Sequence, residues 1–123
     1  MTNTPDGFHT ITPRLIAADP AKLVQFLIEV FGATGDYEHS RPSEMKIGDS
    51  IIMVSDGGGV RKPTRSLLYV YVDDTDATYQ RALKAGATSI EQPQQQPYGD
   101  RRAMITDPSG NDWQIATYSQ RKQ

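Results

Sequence analysis

The sequence predicts an α+β fold made of two tandem strand–helix–strands units. Two β-rich segments are each followed by an Asp-capped helical stretch, both stretches end on Gly-Ala, and short strand-like runs follow both. In the first copy, Thr10-Ile11-Thr12-Pro13-Arg14-Leu15-Ile16-Ala17 alternates as a strand does. Pro13 predicts an edge or a bulge within it. Asp19-Pro20 then supplies an N-cap with proline in the first helical turn. Leu23, Phe26, Leu27 and Val30 fall at i, i+3, i+4 and i+7 and share one helical face. Gly32 stands where a helix ends on a left-handed residue.

The second copy repeats this order about 55 residues later, the spacing of an internal repeat. Leu67-Leu68-Tyr69-Val70-Tyr71-Val72 is β-branched and aromatic. Asp73-Asp74-Thr75 offers caps, Tyr79, Ala82 and Leu83 form a stripe, and Gly86-Ala87 ends the helix. Further strands are expected at 35–39, 44–47 and 50–54 in the first copy, and at 88–91, 102–106 and 112–117 in the second. Each copy therefore reads β-α-β-β-β. Asp107-Pro108-Ser109-Gly110-Asn111 is dense in turn formers. Residues 92–99 read as a polar, proline-bearing loop and 119–123 as a frayed tail. The expected organisation is one domain, 1–123: module one over 8–55, a linker over 56–64, and module two over 65–118.

Composition narrows the function. The chain has 123 residues, 37 % hydrophobic and 23 % charged, enough for one core. A net charge of −2 gives no broad positive field, so neither nucleic acid nor an anionic membrane is expected as a partner. No apolar run approaches the roughly 20 residues of a spanning helix. The polar opening, Met1 to Phe8, lacks the basic-then-apolar order of a signal peptide, and a cytoplasmic protein is expected. The absence of cysteine excludes disulfides, thiolate nucleophiles, zinc–thiolate sites and iron–sulfur clusters. His9 and His39 are the two histidines, both expected in solvent. His39 with Glu38 and Glu44 superficially suggests a metal cluster and is read as a solvated edge. Gly57-Gly58-Gly59 before Arg61-Lys62 is read as a linker, because no helix starts there to support a phosphate.

The duplicated β-α-β-β-β pattern, with Tyr98-Gly99-Asp100-Arg101 leading through a strand into Asp107-Pro108-Ser109-Gly110-Asn111, resembles the vicinal-oxygen-chelate superfamily. That superfamily contains glyoxalase I, bleomycin-resistance proteins and extradiol dioxygenases. The opening Gly7-Phe8-His9-Thr10-Ile11-Thr12-Pro13-Arg14-Leu15 is similar to its PhnB-like branch. The resemblance implies a half-open barrel, a ligand cup on the sheets, and a homodimer. It also implies metal ligands on four strands, at positions that here hold Thr12, Ile52, Leu67 and Gln114. Only Gln114 has a donor suited to a divalent ion, which needs several nitrogen or oxygen ligands. No metal or other cofactor is therefore expected.

Strand alternation selects the side chains of the cup. Arg14 and Arg102 could clamp an anion. Tyr69 and Tyr71 offer flat surface with hydroxyl groups. Gln114 could orient a ligand by its amide, and Thr12 and Ile52 could form wall. Asp112 is the one carboxyl group expected there, at the rim, and Trp113 is expected in the core. The resulting expectation is a metal-independent protein that binds a small organic molecule, anionic or aromatic. The alternative is an enzyme of the same superfamily: a lyase, isomerase or dioxygenase, metal-free or using a divalent metal.

Overall fold

In the computed structural model, which describes residues 3–119, the chain divides into two units, Met1–Thr64 and Arg65–Gln123. The tail expected at 119–123 and the start of the polar opening lie outside the described residues, apart from Ser119 and Asn3 onward. No described helix is long and apolar enough to cross a membrane.

The first unit runs β1 (Arg14–Ile16), α1 (Pro20–Phe31), β2 (Ser43–Ile47) and β3 (Ser50–Ser55). Its sheet has the order β1-β3-β2, with β1 parallel and β2 antiparallel to β3. The Asp19 side chain accepts from Lys22 N at 3.2 Å, and Gly32 closes α1 with φ of 67°. Leu23, Phe26, Leu27 and Val30 are all buried, as their spacing required. Pairing places Leu15, Val54, Ser43, Ile52 and Met45 on one sheet face, where all five are buried. Arg14, Met53, Glu44, Lys46 and Ile51 occupy the other.

Three expectations change here. Strand β1 is three residues long, not eight. Pro13 has no N–H to donate, and its carbonyl oxygen accepts from Met53 N at 2.9 Å just before the strand begins. The strand expected at 35–39 is absent, so this unit is β-α-β-β. Thr34 forms an isolated bridge to Lys46, after which the backbone turns away at Gly35, whose φ is 129°. A Cβ there would lie 2.5 Å from the Glu44 carbonyl oxygen, so only glycine permits this approach. Downstream, Glu38 N donates to Ser43 Oγ rather than to a strand. Finally, Ile52 belongs to the closed face. It is 5 % exposed and cannot form part of an open wall.

The second unit runs β4 (Leu67–Tyr71), α2 (Thr75–Lys84), β5 (Thr88–Gln95), β6 (Arg101–Thr106) and β7 (Asp112–Thr117). Its sheet order is β4-β7-β6-β5, parallel between β4 and β7 and antiparallel elsewhere. Asp74 caps α2 by accepting from Ala77 N at 3.1 Å, the same chemistry as at α1. Thr75 Oγ1 donates to the Arg101 carbonyl at 2.8 Å and Thr75 N to Thr117 Oγ1 at 3.0 Å, tying the helix start to β6 and β7. Leu68, Val70, Ala103, Ile105, Trp113 and Ile115 share the face beneath α2. The segment expected as a loop at 92–99 begins instead as strand. β5 is an edge strand whose register shifts between Ser89 and Glu91 and again between Glu91 and Gln94, and such irregularity accommodates Pro93.

The β6–β7 turn is built around Asp107, which is 3 % exposed. Its Oδ1 accepts from Ser109 N at 2.8 Å and Asn111 N at 3.0 Å. Its Oδ2 accepts from Trp113 Nε1 at 2.8 Å and Asn111 Nδ2 at 3.2 Å. Asn111 Oδ1 in turn accepts from Ser66 N at 3.0 Å, at the entrance to β4. Nearby, Arg65 donates twice to Asp112, at 2.8 Å each, and Thr106 Oγ1 donates once at 2.7 Å. The Arg65 hydrogen bonds, then that from Thr106, hold the Asp112 carboxyl below its ordinary value of 3.8.

Two outcomes follow. Asp107→Ala strands buried donors of Asn111 and Trp113, each worth about 1–3 kcal/mol when left unsatisfied, so a loss of about 3 kcal/mol or more is expected in urea unfolding. Asp112 has a lower proton affinity folded than unfolded. Its contribution is complete above the ordinary value and is lost as pH falls through the folded value. The melting-temperature advantage of the native chain over Asp112→Asn should therefore hold at neutral pH and shrink below about pH 4. A constant difference across an acid series would contradict this.

Candidate functional site

The face of the second sheet opposite α2 carries the side chains with chemistry. Period-two alternation on β4 turns Leu67, Tyr69 and Tyr71 outward, 66, 39 and 58 % exposed. β7 brings Asp112, Gln114 and Ala116 to the same face, and β6 brings Arg102, Met104 and Thr106. Cross-strand register then sets the neighbours. Gln114 lies between Tyr69 and Met104, and Ala116 lies between Tyr71 and Arg102. Ala116 is fully buried although it faces outward, because its short side chain sits below the larger ones beside it. The face thus has a low floor at Gln114 and Ala116, with aromatic rings on one side and a guanidinium on the other.

The two tyrosine rings stand 5.3 Å apart at 55°, a tilted pair one strand repeat apart. Tyr69 donates its hydroxyl hydrogen to Asp100 Oδ2 at 2.8 Å, and the Tyr98 hydroxyl lies 3.3 Å from it. Burial of the hydroxyl end, then the hydrogen bonds with Tyr98 and Asp100, raise the Tyr69 phenol well above the usual tyrosine range. It stays a protonated donor. Arg102 Nη1 donates to the Tyr98 hydroxyl at 3.0 Å and Nη2 to Glu91 at 3.2 Å. Its buried Nε has no acceptor among the described residues. Asp100, Tyr69, Tyr98, Arg102 and Glu91 therefore form, in that order, one continuous polar chain along the floor's edge.

Of the residues singled out in the sequence, Tyr69, Tyr71, Arg102 and Gln114 come together here. The neighbouring Arg101 points elsewhere, forming a paired contact with Asp76 on α2 at 2.7 and 3.0 Å. Arg14 lies on the open face of the first sheet, its Nε donating to Ser55 Oγ at 3.2 Å. Thr12 precedes β1 and is half-buried. Ile52, on the closed face, drops out. Sequence reasoning missed Asp100 and Glu91, so Asp112 is not the one carboxyl group on this side. Asp100 is 1 % exposed, and its partner Tyr69 stands 31 residues earlier. Its place in Tyr98-Gly99-Asp100-Arg101 was the available signal.

The four positions at which the resemblance implies metal ligands carry side chains that do not suit a divalent ion. Leu67 supplies hydrocarbon, Ile52 faces the core, and Thr12 and Gln114 supply neutral oxygens only. No group of three His, Cys, Asp or Glu among the described residues has the arrangement to hold one.

Comparison with known proteins identifies the fold. A curated relative in Mycobacterium bovis, itself uncharacterised, is 29 % identical over 125 residues, covering 85 % of this chain and 80 % of its own. The crystal structure of TioX from Micromonospora sp. ML1 superposes with a TM-score of 0.76 at 24 % identity, over 90 % of this chain and 99 % of that one. The fosfomycin resistance protein FosX from Mesorhizobium loti gives 0.67 at 21 % identity, over 97 % and 95 %. At such identities the structures establish the shared glyoxalase/bleomycin-resistance fold. The family model matches residues 7–115, and the chain belongs to the glyoxalase/bleomycin resistance protein/dioxygenase superfamily.

Proposed function

We propose that this protein binds a small organic molecule, aromatic with an anionic or hydrogen-bonding group, on the open face of its second sheet, without a metal. The carrying observation is the joint placement of Tyr69, Tyr71, Arg102 and Gln114 around a low floor. An aromatic body would lie on the tyrosine pair and over Ala116, where flat apolar contact displaces water. An acidic group would meet Arg102, a donor of charge-assisted hydrogen bonds. The Gln114 amide and the Tyr69 hydroxyl would fix orientation. Independence from metal rests on the donor chemistry of Thr12, Ile52, Leu67 and Gln114.

The reading extends to sequestration or resistance, and a fosfomycin resistance protein shares this fold. It includes a place in the PhnB-like branch, a cytoplasmic location and pairing of the chain with itself. The exposed apolar side chains of β4, Leu67 and Tyr71, suit either a ligand or a second copy. Neither nucleic acid nor membrane belongs to the proposal. A second reading is metal-free lyase or isomerase chemistry. It is favoured by one pair, the Tyr69 hydroxyl oriented by its hydrogen bond to buried Asp100, which could relay a proton between a bound substrate and that carboxyl group.

A thermal-shift screen of small aromatic acids and amphiphilic antibiotics tests this, run on metal-stripped protein and again with added Zn, Ni, Mn or Fe. Hits should appear without metal, and Arg102→Ala should weaken them by about tenfold or more, the scale of a lost hydrogen bond to charge. Stabilisation that requires one tightly held metal ion per chain, or affinities indifferent to both Arg102→Ala and Tyr71→Ala, would overturn it.

A further inference from the structure

The first unit contains a polar cavity of about 210 Å³ whose side chains come from four separate segments. Arg14 enters from β1 and Ser55 from the end of β3. His39 and Arg41 come from the segment between α1 and β2, with Glu38 beside them. Arg61 comes from the glycine segment after β3, with Asp56. Three guanidinium groups therefore face two carboxyl groups, a formal excess of one positive charge in a chain whose net charge is −2.

The arginines are held so that donors remain available. Arg14 spends Nε on Ser55 Oγ at 3.2 Å, and Ser55 is 8 % exposed, which orients the guanidinium and leaves both Nη groups. Arg61 is positioned by its backbone. Gly58 N donates to the Arg61 carbonyl at 2.7 Å, and Arg61 N donates back to Gly58 at 2.9 Å. The bend needs glycine at Gly57, where a Cβ would lie 2.4 Å from the Arg61 carbonyl oxygen. Arg41 meets Glu38 at 3.6 Å, a loose and exposed pair worth little by itself. The segment read from sequence as a plain linker is thus a built wall of a cationic cavity.

We propose that this cavity binds a small oxyanion, a carboxylate or phosphate group clamped by Arg14, Arg41 and Arg61. Its volume lies below the roughly 300–1,000 Å³ of pockets for drug-sized ligands, which limits the occupant to an inorganic anion or a small acid. Like charges gathered at one opening repel each other, and an anion relieves that repulsion while accepting the unused N–H groups. Glu38 competes with the anion for Arg41. The proposal stands independently of the ligand on the second sheet.

Isothermal titration of the full chain at low ionic strength, with inorganic phosphate in one arm and malonate in the other, tests it. Saturable one-to-one binding of at least one anion is expected, and the stronger arm identifies the favoured headgroup. Arg61→Gln, a change at an exposed site, should weaken binding about tenfold. Glu38→Gln should strengthen it by releasing Arg41. Lys84→Gln, at the end of α2, should change nothing. Absence of saturable binding in both arms would overturn the proposal. So would an Arg61→Gln affinity equal to that of the native chain, or an equal loss in Lys84→Gln, which would mark general charge attraction.

Discussion

The second unit depends on one buried carboxyl group. Asp107 takes four hydrogen bonds within the β6–β7 turn, and Asn111, which it holds, reaches across to Ser66 at the start of β4. Three strands are thereby fixed in register by one side chain and its nearest partner. Register decides everything on a sheet with one covered face, since a slip by one residue exchanges the two faces. With Trp113 anchored to Asp107 and pointing into the core, Gln114 must point out. Leu68 pairs with Trp113 and turns in, so Tyr69 and Tyr71 turn out with Gln114 and Ala116. The composition of the open face follows from the turn.

Much of this was legible in the sequence. Asp19 and Asp74 announce both helices, since a carboxyl group before an apolar stripe has little else to do than cap. The second sheet's faces could be read because tyrosine, glutamine and arginine alternate with valine, isoleucine and tryptophan. What escaped had physical reasons. Ile51, Ile52 and Met53 are apolar in succession, so alternation could not say that Ile52 faces the core. Pro13 shortens β1 by withholding a donor. Gly35 turns the chain away where a strand was expected. Gln92 to Gln96 has the composition of a loop, yet an edge strand needs only one paired side and tolerates Pro93 at a register shift. Asp100 was hidden because its hydrogen bond to Tyr69 spans 31 residues and exists only in the folded sheet.

On the proposed reading, this chain keeps the superfamily's fold without relying on a metal. The four positions at which the resemblance implies ligands hold Thr12, Ile52, Leu67 and Gln114, which carry hydrocarbon or neutral amide and hydroxyl groups. The polar groups lie instead in the Asp100–Tyr69–Tyr98–Arg102–Glu91 chain on the second sheet and in the arginine-lined cavity of the first unit. Both present donors to an acceptor-rich partner. Neither presents the converging anionic oxygens a divalent cation requires. This supply of donors is what supports the proposal of organic acids and oxyanions as ligands.

The central claim, that the open face of the second sheet receives the organic ligand, can be read from methionine methyl resonances. Met104 lies on that face beside Gln114, whereas Met45 is fully buried on the closed face of the first sheet. Adding a stabilising aromatic acid to metal-free, methyl-labelled protein should move the Met104 methyl signal in proportion to occupancy and leave that of Met45 in place. A Met104 signal that stays fixed while the ligand saturates would contradict the account.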